Sequence, residues 1–289
     1  MRKNKFVLVQ GALVGLIVLS GACNSNVLES ASPATLTQTA VEVTQAAIYS
    51  DDIYNEVENY VTIAKANNYA DTTVYGAGTP GITLPTVTLD KPDTVSFPKT
   101  FTLDYGTTGI VGYRGNTLKG KIIAVITNGV NFRKDSLRNV TFDNFSDNGN
   151  AITGSESLIY KGVNSLNYTY WSRSAKDTIS RADGTTITWN CQLKEVLYSD
   201  NKTPLVYWDD IYYITGSSSG VNAKGKAYTM AIRDNYPLFV GGGYPFFVVG
   251  LAKISSENGT VVVDYGDGTA DNVATALING DTKPFTLTE

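Results

Sequence analysis

From Lys99 onward the chain consists of short runs in which apolar and polar residues alternate, separated by turn dipeptides. This pattern constrains the fold more than any other feature. Period-two alternation puts one row of side chains into a core and the other into water only along an extended strand. Phe101, Leu103 and Tyr105 set the pattern, and strand-like runs follow at 118–127, 137–145, 151–161, 167–172, 185–197, 210–216, 226–233, 244–254, 260–264, 274–278 and 283–288. Asp183-Gly184, Asn258-Gly259 and Asn279-Gly280 between them are hairpin signals. Short strands joined by tight turns predict a mainly β fold: a large antiparallel sheet, as a sandwich or a curled half-barrel, with one or two N-terminal helices.

The helices are expected within 34–69. Leu36, Ala40, Val43 and Ala47 recur at helical spacing, as do Val57, Val61 and Ala64, and Ser50-Asp51-Asp52 between the two sets suits a helix N-cap. Two short helices or one bent helix would cover one face or end of the sheet. Residues 70–98, punctuated by Gly76, Gly78, Pro80, Gly81, Pro85, Pro92 and Pro98, read as a connection to the antiparallel β domain at 99–289.

Ahead of the helices, a basic start (Met1 to Lys5) leads into an apolar run (Phe6 to Leu19) and then Ser20-Gly21-Ala22-Cys23. The apolar run is shorter than the roughly 20 residues that cross a bilayer. Residues 1–22 therefore read as a lipoprotein signal peptide, with acylation at Cys23 and a tether over 23–33. The match to the usual lipoprotein box is loose, since Leu19 sits four places before the Cys and Ser20 three. Asn24, rather than Asp, follows the Cys, so the expected address in a two-membrane envelope is the outer membrane. No other long apolar run is present, and the rest is expected to be soluble.

The sequence contains no histidine. Ser-His-Asp and Cys-His catalysis are excluded, and the commonest zinc and copper ligand is missing. With Cys23 acylated, Cys191 has no intrachain partner. Ile187, Trp189, Cys191 and Leu193 share one face of a strand, so Cys191 reads as a small buried hydrophobe. The net charge of -4 carries no basic stripe, which argues against nucleic acid.

Several constellations invite a functional reading. Asp264, Asp267, Asp271 and Asn272 offer oxygens of the kind calcium takes, but ordinary turn capping explains them better, and no metal or cofactor is expected. Trp208-Asp209-Asp210 has the look of a sugar site, yet adjacent strand residues point opposite ways, so the two carboxylates cannot form one acid–base pair. Asp71-Thr72, Asp93-Thr94, Asp135-Ser136 and Asp177-Thr178 match a short O-glycosylation pattern, with Thr72, Thr94, Ser136 and Thr178 as acceptors. The stretch 236–249 is the most apolar of the mature chain and reads as two strands joined at Gly241–Gly243. Either both its faces are buried, or Leu238, Phe239, Tyr244, Phe246 and Phe247, with Trp208, contact a partner or ligand.

Asp104-Tyr105-Gly106 followed by Gly120-Lys121-Ile122, then Phe142-Asp143-Asn144, Asp183-Gly184-Thr185-Thr186-Ile187-Thr188-Trp189, Tyr213-Ile214-Thr215-Gly216 and Asp264-Tyr265-Gly266-Asp267-Gly268 are turn and strand punctuation. On these residues the stretch from about 99 to 288 resembles a family of uncharacterised Bacteroidetes lipoproteins. The resemblance implies an exported, lipid-anchored β protein and no assigned activity. Relatives often carry a Cys near each Asp-Tyr-Gly turn, where this chain has Ile110 and Ala270. Asp104-Tyr105-Gly106 and Asp264-Tyr265-Gly266 also echo one another. The reading that results is a non-enzymatic envelope protein, held to the membrane by its anchor, that binds an envelope protein or glycan or serves structurally. The alternatives are a carboxylate-dependent glycan-acting enzyme with Trp208 or Trp171 as sugar platform, and a carrier enclosing an amphiphile in an apolar cavity.

Overall fold

The structure, a computed structural model, describes residues 32–69, 84–112, 114–128, 134–199, 210–241 and 243–288. Cys23, Thr72 and Trp208 lie outside the described residues.

One helix, α1, runs unbroken from Pro33–Ala66. Pro33 suits its first turn, where no amide partner is needed, and the Ser32 hydroxyl accepts from the Thr35 amide. Of the one or two helices expected, there is one; the alternative of two short helices is corrected. Ser50, Asp51 and Asp52 are buried mid-helix rather than capping a second helix. No helix among the described residues is long and apolar enough to cross a membrane.

Among the described residues fifteen strands follow, all in one antiparallel sheet: β1 (Thr86–Leu89), β2 (Lys99–Asp104), β3 (Ile110–Val111), β4 (Thr117–Ile126), β5 (Leu137–Asp147), β6 (Asn150–Val163), β7 (Thr169–Ser180), β8 (Thr186–Ser199), β9 (Ile211–Val221), β10 (Ala227–Ile232), β11 (Leu238–Gly241), β12 (Tyr244–Ser256), β13 (Gly259–Asp267), β14 (Val273–Ile278) and β15 (Asp281–Thr286). Neighbours in space are mostly neighbours in sequence, as hairpin connections dictate. β10 and β11 lie end to end: β9 pairs with β11 through Ile211–Ile214 and with β10 through Gly216–Val221, and β12 borders both. Gly241 and Gly243 take positive φ at the β11–β12 turn, as a tight connection there requires. β1 is very short, and β15 carries Pro284 in its middle, two ordinary ways of blunting a sheet edge.

The sheet curls around α1. Side chains reach the helix from the end of β2 (Tyr105), from β5 (Arg138), from β7 (Arg173), from the β9–β10 turn (Asn222) and from β13 (Tyr265). Sixteen consecutive helical residues, 46–61, are buried without interruption. A surface helix buries one stripe, whereas burial on every side means that α1 fills the space inside the curl. The Asp-Tyr-Gly echo is physical: Gly106 and Gly266 each donate to the preceding Asp carboxylate, and both tyrosines point inward onto α1. Tyr105 donates to Glu56, and Tyr265 shares a hydrogen bond with Thr44.

Candidate functional site

Where α1 meets the strands, the interior is ionic. The helix contributes Glu42, Asp51, Asp52, Glu56 and Glu58; the inward rows of β5–β8 contribute Arg138, Asp147, Glu156, Arg173, Asp177 and Glu195, all buried. Arg114, from the β3–β4 connection, meets Asp51 at 2.8 Å and Asp52 at 2.5 Å. Arg138 pairs with Glu58. Arg173 meets Glu195 at 2.8 Å and Asp51 at 3.5 Å, with the Ser50 carbonyl at 3.4 Å. Arg181 reaches Glu42 at 3.6 Å and donates to Gln45. Burial pushes Glu195 up to about 7 against the opposing pull of Arg173. Burial likewise pushes Asp177 up to about 7 and, with the neighbouring Asp177 charge, raises Glu156 well above the usual carboxylate range.

Apart from Arg181, whose side chain is partly exposed, the charged members of this network are buried. Beside it lies a cavity of about 10 Å³ lined by Tyr54, Val57, Arg138, Val140, Glu156, Ser157, Leu158 and Arg173, room for about one water. Perturbed carboxylates often mark catalysis, but ion-pair networks perturb them too. A general acid must reach a substrate proton, and these carboxyls face a helix.

The outer face offers a different surface. Tyr213 on β9 and Phe239 on β11 are directly paired across strands, their ring centroids 3.9 Å apart at 89°. Tyr198 on β8 lies 4.5 Å from Tyr213 and 6.0 Å from Phe239, and Tyr168 lies 6.2 Å from Tyr198. Tyr168 and Tyr198 are exposed, and Lys194 sits over the Tyr170 ring at 5.3 Å. Strand alternation accounts for the array. Tyr212, Ile214, Leu238 and Val240 point into the core, which turns Tyr213 and Phe239 outward.

The proposed contact residues therefore divide. Phe239 belongs to the outer array. Tyr244 is half-buried with its hydroxyl donating to the Ala270 carbonyl, and Phe246 packs partly against the core. Leu238 and Phe247 are corrected: they are 0% and 2% exposed, core residues on the inward parity of β11 and β12. Trp171, the alternative sugar platform, is also inward, against Tyr160 and Tyr212. Asp210 is half-buried and accepts from Tyr212.

Of the glycosylation candidates, Thr94 is exposed in a turn where Asp93 accepts from the Val95 and Ser96 amides. Ser136 is corrected, since at 0% exposure it is closed to a transferase. Thr178 is half-buried within β7, paired on both sides, and its Asp177 is buried. The acidic turn at 264–272 does capping work: Asp264, Asp267 and Asp271 accept from the amides of Gly266, Thr269 and Val273. Among the described residues no group of three or more acidic or thiol side chains is placed to hold a metal.

The ionic interior escaped the sequence reading, although a signal existed. Arg138, Arg173, Asp177 and Glu195 occupy the same parity as Val140, Trp171, Cys191 and Leu193, so charges stand where apolar residues are due. No family model, curated protein or solved structure matches this chain.

Proposed function

We propose that this chain is a non-enzymatic, lipid-tethered envelope protein that presents its outer aromatic array to a partner. One contrast carries the reading. The interior is occupied by α1 and its ion pairs, whereas Tyr168, Tyr198, Tyr213 and Phe239 crowd together on the outside. Grouped aromatic rings with polar hydroxyls at their tips are typical of protein recognition surfaces. The rings meet at interplanar angles of 36°, 53° and 89°. A sugar ring stacks best on a flat platform, so the steep angles favour a protein partner over a glycan. The amphiphile carrier loses its support, because α1 takes the volume an acyl chain would need.

The test is crosslinking of the full chain in its native envelope, wild type against the Tyr198→Ala/Tyr213→Ala double variant. Loss of a defined crosslinked protein, with an unchanged melting midpoint, supports the reading. Recovery of the same protein by the variant, or crosslinking to none by the wild type, sinks it. The tether has its own check: the intact mass of the extracted chain should show acyl groups on an N-terminal Cys23, lost in Cys23→Ala.

A further inference from the structure

The charges around Arg173 do not balance. From α1 come Asp51, Asp52, Glu58 and, partly exposed beside Glu58, Lys65; from the β3–β4 connection, Arg114; from β5, Arg138; from β6, Glu156; from β7, Arg173 and Asp177; from β8, Glu195 and the Cys191 thiol, so six carboxylates face four cations. Arg114 serves Asp51 and Asp52, Arg138 serves Glu58, and Arg173 serves Glu195 and Asp51. Glu156 and Asp177 belong to none of these ion pairs; they sit on paired strands, 4% and 5% exposed, with a hydrogen bond between their carboxyls and with Arg173 as the cation that acts on both. Burying ionised carboxylates in excess of their cations costs far more than keeping a proton on one of them. The two strands also approach closely beside Asp177. Gly154, at φ +131°, faces Asp177, and a Cβ there would come within 2.8 Å of its Oδ1 and 2.1 Å of the Lys176 carbonyl. Any larger residue at 154 would displace Asp177 from its seat.

We propose that Glu156 and Asp177 form a proton-binding site that couples the grip of β6 and β7 on α1 to the pH outside. With a proton held between the two carboxyls, Arg173 stays free to bind Glu195, Asp51 and the Ser50 carbonyl. Without it, two adjacent buried anions repel each other and compete for Arg173, and the helix contact at Ser50–Asp51 weakens. The sign follows from the raised carboxyls. Asp177 holds its proton up to about pH 7 when folded and loses it near 4 when unfolded. The stabilisation is complete below the unfolded value and disappears as the pH rises through 7.

The test uses the full chain in non-ionic detergent, melted from pH 6 to pH 9. The wild-type midpoint should fall by roughly 5–10 °C over this range. Glu156→Gln and Asp177→Asn should each cut that fall to about half, the remainder belonging to Glu195, which burial also raises to about 7. A midpoint that is flat or rises with pH overturns the proposal, as does an equal fall in both variants. Should the variants not fold, the wild type is unfolded by denaturant in weak buffer at pH 6.5. Glu195, which burial also raises to about 7, releases up to one proton there; the site adds to it, so release of more than one proton is expected and release of one or fewer refutes the site.

Discussion

The two halves of the sheet hold the same helix by opposite means. The strands from β2 to β8 point seven charged residues inward, Lys99, Arg138, Asp147, Glu156, Arg173, Asp177 and Glu195, all buried. From β9 to β15 the described inward residues include no buried carboxylate, Lys or Arg; Ser218 and Asn222 are the polar exceptions in a row of Tyr, Ile, Val, Ala, Leu, Phe and Met. An apolar wall holds by area and has little preference for the register of what lies against it. A charged wall contributes little net stability but strongly penalises misplacement, since each displaced pair leaves a buried charge unanswered. We read the dry half as the source of adhesion and the ionic half as the device that fixes the helix's position and rotation.

The largest effect should come from breaking one ion pair on the ionic wall. Arg138→Leu leaves Glu58 buried without its cation and should cost about 3–5 kcal/mol, measured by chemical denaturation. Adding Glu58→Leu should recover most of that loss, because an apolar pair of similar size replaces two buried charges. If the double variant is no better than the single, Glu58 was not the reason for the cost, and the account of the ionic wall fails.

On the dry wall the matching experiment separates neighbours on one strand. Leu238→Ala removes a fully buried side chain and should cost about 2–5 kcal/mol, by the same amount at pH 6 and pH 8. Phe239→Ala should cost about 1 kcal/mol, the size of the aromatic contacts it loses. Equal losses would mean that the outer array is a second core rather than a surface.

These neighbours also show what could be read in the sequence. Period two marked β2 and strands from β4 onward and put Trp189 and Cys191 inside, because alternation is a local signal. It ended β7 at 172 and β9 at 216, short of Ser180 and Val221, and β1 lies in the stretch 70–98 that read as a connection. The helical spacing of Leu36, Ala40, Val43, Val57, Val61 and Ala64 likewise marks residues that are buried. Ser50-Asp51-Asp52 looked like a cap because its true partners, Arg114 and Arg173, are more than 60 residues away and leave no trace in a local window. The array of Tyr168, Tyr198, Tyr213 and Phe239 was just as hard to see, being assembled from four segments of the chain. Phe239 was named for its run's apolarity, and Leu238 for the same reason. Only the parity of β11, fixed by pairing with β9, separates them.

A smaller, sharper comparison uses the two Asp-Tyr-Gly turns, which brace α1 from either half. Tyr105 donates to the Glu56 carboxylate at 2.9 Å, and Tyr265 meets the Thr44 hydroxyl at 2.8 Å. Hydrogen bonds to charged groups are worth about 1.5–3 kcal/mol and neutral ones about 0.5–1.5. Tyr105→Phe should therefore destabilise about twice as much as Tyr265→Phe. The reverse order would show that Glu56 is carried by its other contacts and that the brace at Tyr105 is incidental.

The smallest effect is expected at Cys191, which lies on the ionic half but packs as part of the core. It is 2% exposed, and burial pushes its thiol up to about 12, overriding the opposing influence of Arg173. A nucleophilic cysteine needs both a thiolate and access, and this one has neither. Reducing agent should leave the melting midpoint unchanged. A thiol reagent at pH 8 should label Cys191 only after denaturation, with native labelling no faster than global unfolding. Fast labelling of the folded chain would mean that β7 and β8 part from α1 well below the global transition. The ionic wall would then be the weaker of the two, and its proposed role in fixing the helix would have to pass to the dry one.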